Sequence, residues 1–164
     1  MRQEESSTGA PIAERPEEAL TRAVEALAHR ERTTSELAEW LAGRGFAPGA
    51  IETALAHLIE IGELDDERFA RGYAEDKREL RGWGRERIRA TLAAKGISLD
   101  LIELALAEEP GGDLSRALAL LERRGETLDD ERSRGRALAF LARRGYDSEL
   151  AYEAVRGFER RSSR

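Results

Sequence analysis

Two pairs of neighbouring aspartates, Asp65-Asp66 and Asp129-Asp130, are the first candidates for chemistry in this 164-residue chain. Side-by-side carboxylates can do acid–base work or hold a magnesium ion. Both pairs stand just ahead of segments with helical periodicity. There, negative charge complements the positive end of the helix dipole, which accounts for them without catalysis. Other reactive side chains are scarce. There is no cysteine, and His29 and His57 lie in separate helical patterns, so neither a thiolate site nor a His-x-x-x-His zinc site is expected. Neither a Gly-x-x-x-x-Gly-Lys phosphate loop nor a nucleophile elbow occurs. No catalytic, cofactor or metal residue is assigned. The chain reads as a binding protein rather than an enzyme.

The most distinctive segment runs Arg81-Gly82-Trp83-Gly84-Arg85-Glu86-Arg87-Ile88-Arg89. An aromatic between two glycines marks a helix–helix corner, and arginines open the next helix. Ile88 and Leu92 face inward on this reading, while Arg85 and Arg89, four apart, share a second face and are expected to be exposed together with Arg81. One account makes Trp83 a corner plug against Phe69 and Tyr73 and the arginines a solvated face. The other makes them a basic contact surface for phosphate or an acidic protein. The expected partner-binding residues are Arg78, Arg81, Trp83, Arg85 and Arg89, with Arg143 and Arg144 near the C-terminus.

The elements that must position these residues are helices. Pro16 suits a first helical turn, and Leu20, Val24, Leu27 and Ala28 then form an apolar stripe. Thr33 and Glu36 make a capping box ahead of the pair Leu37 and Leu41. Gly43 and Gly45 end that helix, and Pro48 opens another with Ile51, Leu55, Leu58 and Ile59 inward. No segment sustains period-2 alternation, so no sheet is expected.

The pattern then repeats. Leu37, Leu41, Gly45, Phe46, Ile51, Ala54 and Leu55 recur as Ile88, Leu92, Gly96, Ile97, Ile102, Ala105 and Leu106. A third copy has Ala137, Leu141, Gly145, Tyr146, Ala151, Ala154 and Val155. The glycine is a left-handed helix stop and the apolar residue after it plugs the corner. Ser98 and Asp147 stand as N-caps, as do Asp65 or Asp66 and Asp113 for the leading helices. The predicted fold is all-α: three tandem three-helix repeats, nine helices, in an elongated, curved array. The boundaries expected are a disordered tail over 1–15, modules over 16–62, 63–109 and 110–158, and a C-terminal tail over 159–164.

Composition agrees. Hydrophobic residues make up 40% and aromatics only 5%, so Ala, Leu, Ile and Val must fill the core. The net charge of −6 is unevenly spread. Residues 1–67 carry 6 basic and 15 acidic side chains, while residues 68–95 carry 9 basic and 4 acidic ones. No apolar run approaches the roughly 20 residues of a membrane span, and the polar N-terminus is no secretory signal. A cytoplasmic location with no membrane contact is expected.

The string Leu64-Asp65-Asp66-Glu67-Arg68-Phe69-Ala70, then Tyr73, Gly82-Trp83-Gly84, Arg87-Ile88, Leu92 and Lys95-Gly96-Ile97, resembles the hallmark of the RecX family. So does Phe140-Leu141-Ala142-Arg143-Arg144-Gly145-Tyr146. The resemblance covers about 17–158. It departs where Arg85 replaces a frequent proline, and where Ala137 and Ala151 stand for larger residues. It implies a regulator that binds RecA protein and the RecA–DNA filament, restraining assembly, ATPase, homologous recombination and the coprotease step of the SOS response; a monomer is expected. The alternative is a direct nucleic-acid binder, because three-helix units resemble helix-turn-helix modules and residues 68–95 are basic. The acidic first module leaves such DNA contact weak.

Overall fold

The computed structural model describes residues 14–107, 111–125 and 127–162, and among these the regular structure is nine α-helices with no strand. They are α1 (Pro16–His29), α2 (Thr34–Ala42), α3 (Pro48–Glu60), α4 (Asp66–Arg81), α5 (Arg85–Ala94), α6 (Leu99–Leu106), α7 (Gly112–Arg124), α8 (Glu131–Arg143) and α9 (Ser148–Ser162). The expected tail over 1–15 lies almost wholly outside the described residues. At the other end α9 continues to Ser162, past the expected end of the third module, because Phe158 is buried in the core and carries the helix on.

The chain divides into two compact units, one ending at Phe69 and the other starting at Ala70, so the division falls inside α4. In the first unit, α1 packs mainly on α3, with α2 against both. Three alanines, Ala19, Ala23 and Ala26, form the buried face of α1. Their small side chains at helical spacing let the two axes approach closely. This corrects the expected stripe: Leu20 and Leu27 only flank the core, Val24 is 51% exposed and Ala28 is exposed. On α3, Ile51, Leu55 and Leu58 are buried as expected, whereas Ile59, also expected inward, is 51% exposed. The capping box forms as read: Glu36 N–H donates to Thr33 Oγ1 at 3.1 Å and Thr33 N–H to Glu36 Oε2 at 3.2 Å. The aspartate pair splits its duties. Asp65 accepts from Arg68 N–H at 2.9 Å as the cap of α4, and Asp66 accepts from Thr34 N–H at 2.8 Å.

The second unit holds most of α4 and everything after it. Its larger core comes from α7, α8 and α9: Leu118, Leu120, Leu121, Leu141, Val155 and Phe158 with four alanines between them. Asp130 caps α8, accepting from Ser133 N–H at 2.7 Å. Asp147 accepts from Leu150 N–H at 2.9 Å, and Ser98 from Leu101 N–H at 3.5 Å. Asp113 is not an N-cap. Helix α7 starts at Gly112, with its N-cap at Gly111 in the left-handed region, two residues before Asp113, and Asp113 instead pairs with Arg116 at 2.7 Å.

The three copies of the repeat share one turn. At Gly45, Gly96 and Gly145, φ is +85°, +78° and +89°. In each copy the glycine N–H reaches back to the carbonyl of Ala42, Ala93 or Ala142. The N–H of Phe46, Ile97 or Tyr146 reaches the carbonyl of Leu41, Leu92 or Leu141. This is the Schellman pattern, which satisfies carbonyls left over at a helix end. The plugging side chains Phe46, Ile97 and Tyr146 are all buried.

Candidate functional site

The Gly82-Trp83-Gly84 corner joins α4 to α5, and the structure seats it on the Gly145 turn between α8 and α9. Gly84 precedes α5 as its N-cap but has no side chain to offer, so the first N–H groups of α5 need other acceptors. They find them at the end of α8. Gly84 N–H donates to the Arg144 carbonyl at 2.7 Å and Glu86 N–H to the Gly145 carbonyl at 3.0 Å. The Arg87 guanidinium donates to the Arg143 carbonyl at 3.0 Å. The positive end of one helix thus meets the negative end of another. Tyr146 O–H donates to the Gly82 carbonyl at 3.3 Å, closing the seam from below.

The glycines are what this seam requires. A Cβ at Gly84 would lie 2.6 Å from the Gly145 carbonyl oxygen, and one at Gly145 would fall on the backbone and Cβ of Arg87. Trp83 is half-buried at the corner. Arg87 stacks over its ring at 4.1 Å from the centroid, and Lys77 stands 5.3 Å away, close also to Tyr73 at 4.8 Å. Cations thus lie over the Trp83 ring.

The expected arginines divide into two groups. Arg78 and Arg85 turn inward onto the C-terminal carbonyls of α6. Leu106 accepts from Arg78 at 3.2 Å and from Arg85 at 2.9 Å, and Ala105 accepts from Arg78 at 3.3 Å. Arg85 and Arg89 also share Glu103, at 2.5 and 2.9 Å, and Arg89 pairs with Glu86 as well. The hydrogen bond from Arg89 holds the Glu103 carboxyl below the ordinary glutamate range, and the bond that Arg89 donates to Glu86 raises the Arg89 pKa. Arg85 and Arg89 are therefore half-buried and paired within the unit rather than displayed beside Arg81.

Arg81 and Arg144 belong to the other group. They line a shallow groove of about 340 Å³ together with Arg123 and Arg124 from the end of α7. Leu120 and Gly82 form its buried floor, and Leu80, 76% exposed, stands at the edge. Phe140 lies under two guanidiniums, Arg144 at 4.0 Å and Arg124 at 4.4 Å from its centroid. Glu79 is the one carboxylate in the lining. The Nε of Arg144 is shielded from solvent and has no acceptor among the described residues. Arg143 is exposed at the same helix end. Sequence reasoning missed Arg123, Arg124 and Phe140. Their signal, a basic last turn on α7 and an aromatic four residues before Arg144, acquires meaning only when α4, α7 and α8 converge.

Such a fold, with a basic groove and paired internal arginines, defines an all-α helical-repeat protein. The model of the second three-helix domain of RecX matches residues 65–106, and that of the first matches residues 19–58. The regulatory protein RecX of Mycobacterium marinum is 38% identical over 146 residues, spanning 86% of this chain and 84% of that one. That of Deinococcus radiodurans is 39% identical over 145 residues, spanning 87% and 69%. The crystal structure of RecX from Lactobacillus salivarius superposes with a TM-score of 0.78 at 17% identity, over 88% of this chain and 96% of that one, which shows the shared fold. The chain belongs to the RecX family, a family of regulatory proteins.

Proposed function

We propose that this protein restrains RecA: it binds the RecA–DNA filament and holds back its assembly, its ATP hydrolysis and the recombination and SOS coprotease activities that depend on it. The observation carrying this reading is the RecX match across both three-helix domains, continued over most of the length of the curated relatives. The protein acts by binding, with no chemistry of its own, as a cytoplasmic monomer. No described helix is long and apolar enough to cross a membrane.

Of the arginines singled out by sequence, we place the contact on Arg81, Arg143 and Arg144, with Trp83 at the corner behind them. The guanidiniums of Arg78, Arg85 and Arg89 are engaged inside the unit, where they support that surface. Purified protein added to RecA on single-stranded DNA with ATP is expected to slow ATP turnover at substoichiometric amounts. Unchanged turnover at equimolar folded protein refutes the reading. Direct binding to naked DNA, with steep salt dependence and no need of RecA, would favour the nucleic-acid alternative instead.

A further inference from the structure

We propose that the groove framed by Leu80, Arg81, Arg123, Arg124 and Arg144 seats an acidic protein segment that carries an apolar anchor. The identity of the partner as RecA rests on the reading above; the chemistry of the groove stands on its own residues.

Charge comes first. Four guanidiniums against the single carboxylate of Glu79 make the lining strongly positive. Guanidiniums take carboxylates through two parallel N–H donors, a geometry that suits the side chains of glutamate and aspartate. The apolar part of the lining then separates two kinds of polyanion. Leu80 is 76% exposed beside the buried Leu120. A phosphodiester backbone has no use for an exposed leucine, whereas a protein interface has an apolar centre inside a polar rim. Bound single strands also stack their bases on open aromatic faces. The one aromatic here, Phe140, already lies under Arg124 and Arg144. A shallow groove of about 340 Å³ suits an extended or helical segment with one inserted side chain better than a small molecule enclosed on all sides.

The test uses the full chain and two fluorescein-labelled probes of equal net charge. One is a helical peptide with glutamates around a leucine face, the other a single-stranded oligodeoxynucleotide. Anisotropy is read for the wild type, Arg123→Glu and Leu80→Ser, both substitutions lying at exposed positions whose helicity is checked by circular dichroism. The peptide is expected to weaken about tenfold on Arg123→Glu and about fivefold on Leu80→Ser, as truncation at a contact residue does. The oligonucleotide should be indifferent to Leu80→Ser. Tighter binding of the oligonucleotide, with Leu80→Ser silent for both probes, overturns the proposal in favour of nucleic acid. Two probes that notice neither variant overturn it outright. RecA turnover is measured on the same three proteins. Equal restraint by all three sinks the groove and leaves the RecA reading standing; peptide binding through the groove without any effect on RecA does the reverse.

Discussion

Gly84→Ser sets two physical effects against each other. Gly84 is the N-cap of α5, at φ −82° and ψ 169°, a conformation open to any residue. Serine is a preferred N-cap, so on helix preference alone the substitution gains a few tenths of a kcal/mol. The seam opposes it. The new Cβ would stand 2.6, 2.7 and 2.8 Å from the oxygen and carbon of Gly145 and the nitrogen of Tyr146, all backbone atoms, where ordinary contact begins at 3.4 Å. Parting the two backbones that far carries the 2.7 Å bond from Gly84 to Arg144 and the 3.0 Å bond from Glu86 to Gly145 towards or beyond useful range. It also pulls Tyr146 O–H from its already long 3.3 Å bond. Two backbone hydrogen bonds at about 1 kcal/mol each, with the Tyr146 contact loosened, give a net loss of about 2–4 kcal/mol. The chain carries its own reporter, because Trp40 lies in the first unit and Trp83 in the second. In a Trp40→Phe background, Trp83 fluorescence in urea should show the midpoint fall without a change of slope. A midpoint unchanged or raised would mean that cap preference decides the outcome and that the seam is not held in solution.

Two further outcomes concern the pieces around the seam. Arg85→Ala removes one of the two donors to the Leu106 carbonyl and one partner of Glu103, while Arg78 and Arg89 remain; at a partly exposed site this should cost about 1 kcal/mol in urea unfolding, less in high salt. An unchanged midpoint would show that Arg78 alone closes α6. Asp130 is held below the ordinary aspartate pKa by the Ser133 N–H first and the Ser133 hydroxyl next. A depressed folded pKa gives stability that is present above the unfolded value and lost as the pH falls through the folded one. Asp130→Asn keeps a capping side chain without the titration, so melting measured from pH 7 down to pH 2 should show a shallower acid limb than the wild type. Parallel limbs would assign the acid sensitivity to other carboxylates.

What the sequence made legible was local. The capping box at Thr33, the caps at Asp65, Ser98 and Asp147, and the three glycine stops depend on chemistry within four or five residues, and the structure has each of them. The face of α1 was misread because leucine and valine outrank alanine in hydropathy, whereas close packing on α3 selects the smaller side chain: Ala19, Ala23 and Ala26 go in, and Val24 stays out. The candidate site was half-legible. Arg81 and Arg144 lie inside motifs that drew attention, but Arg123 and Arg124 come from α7, which lies outside the repeated string, and join them only through tertiary packing. The inward turn of Arg78 and Arg85 was hidden for the same reason, since the α6 carbonyls they reach lie more than twenty residues along the chain.

The turn at Gly145 has the same backbone shape as the one at Gly45, yet a side chain at Gly45 would meet open space and one at Gly145 would strike Arg87. Repeats alike in shape are thus unlike in use, and the chain acquires a reading direction. A shuffled chain with its triplets in another order could keep every helix, cap and stop. It would lose the acceptors for the first N–H groups of α5, so succession along the chain is itself written into the backbone.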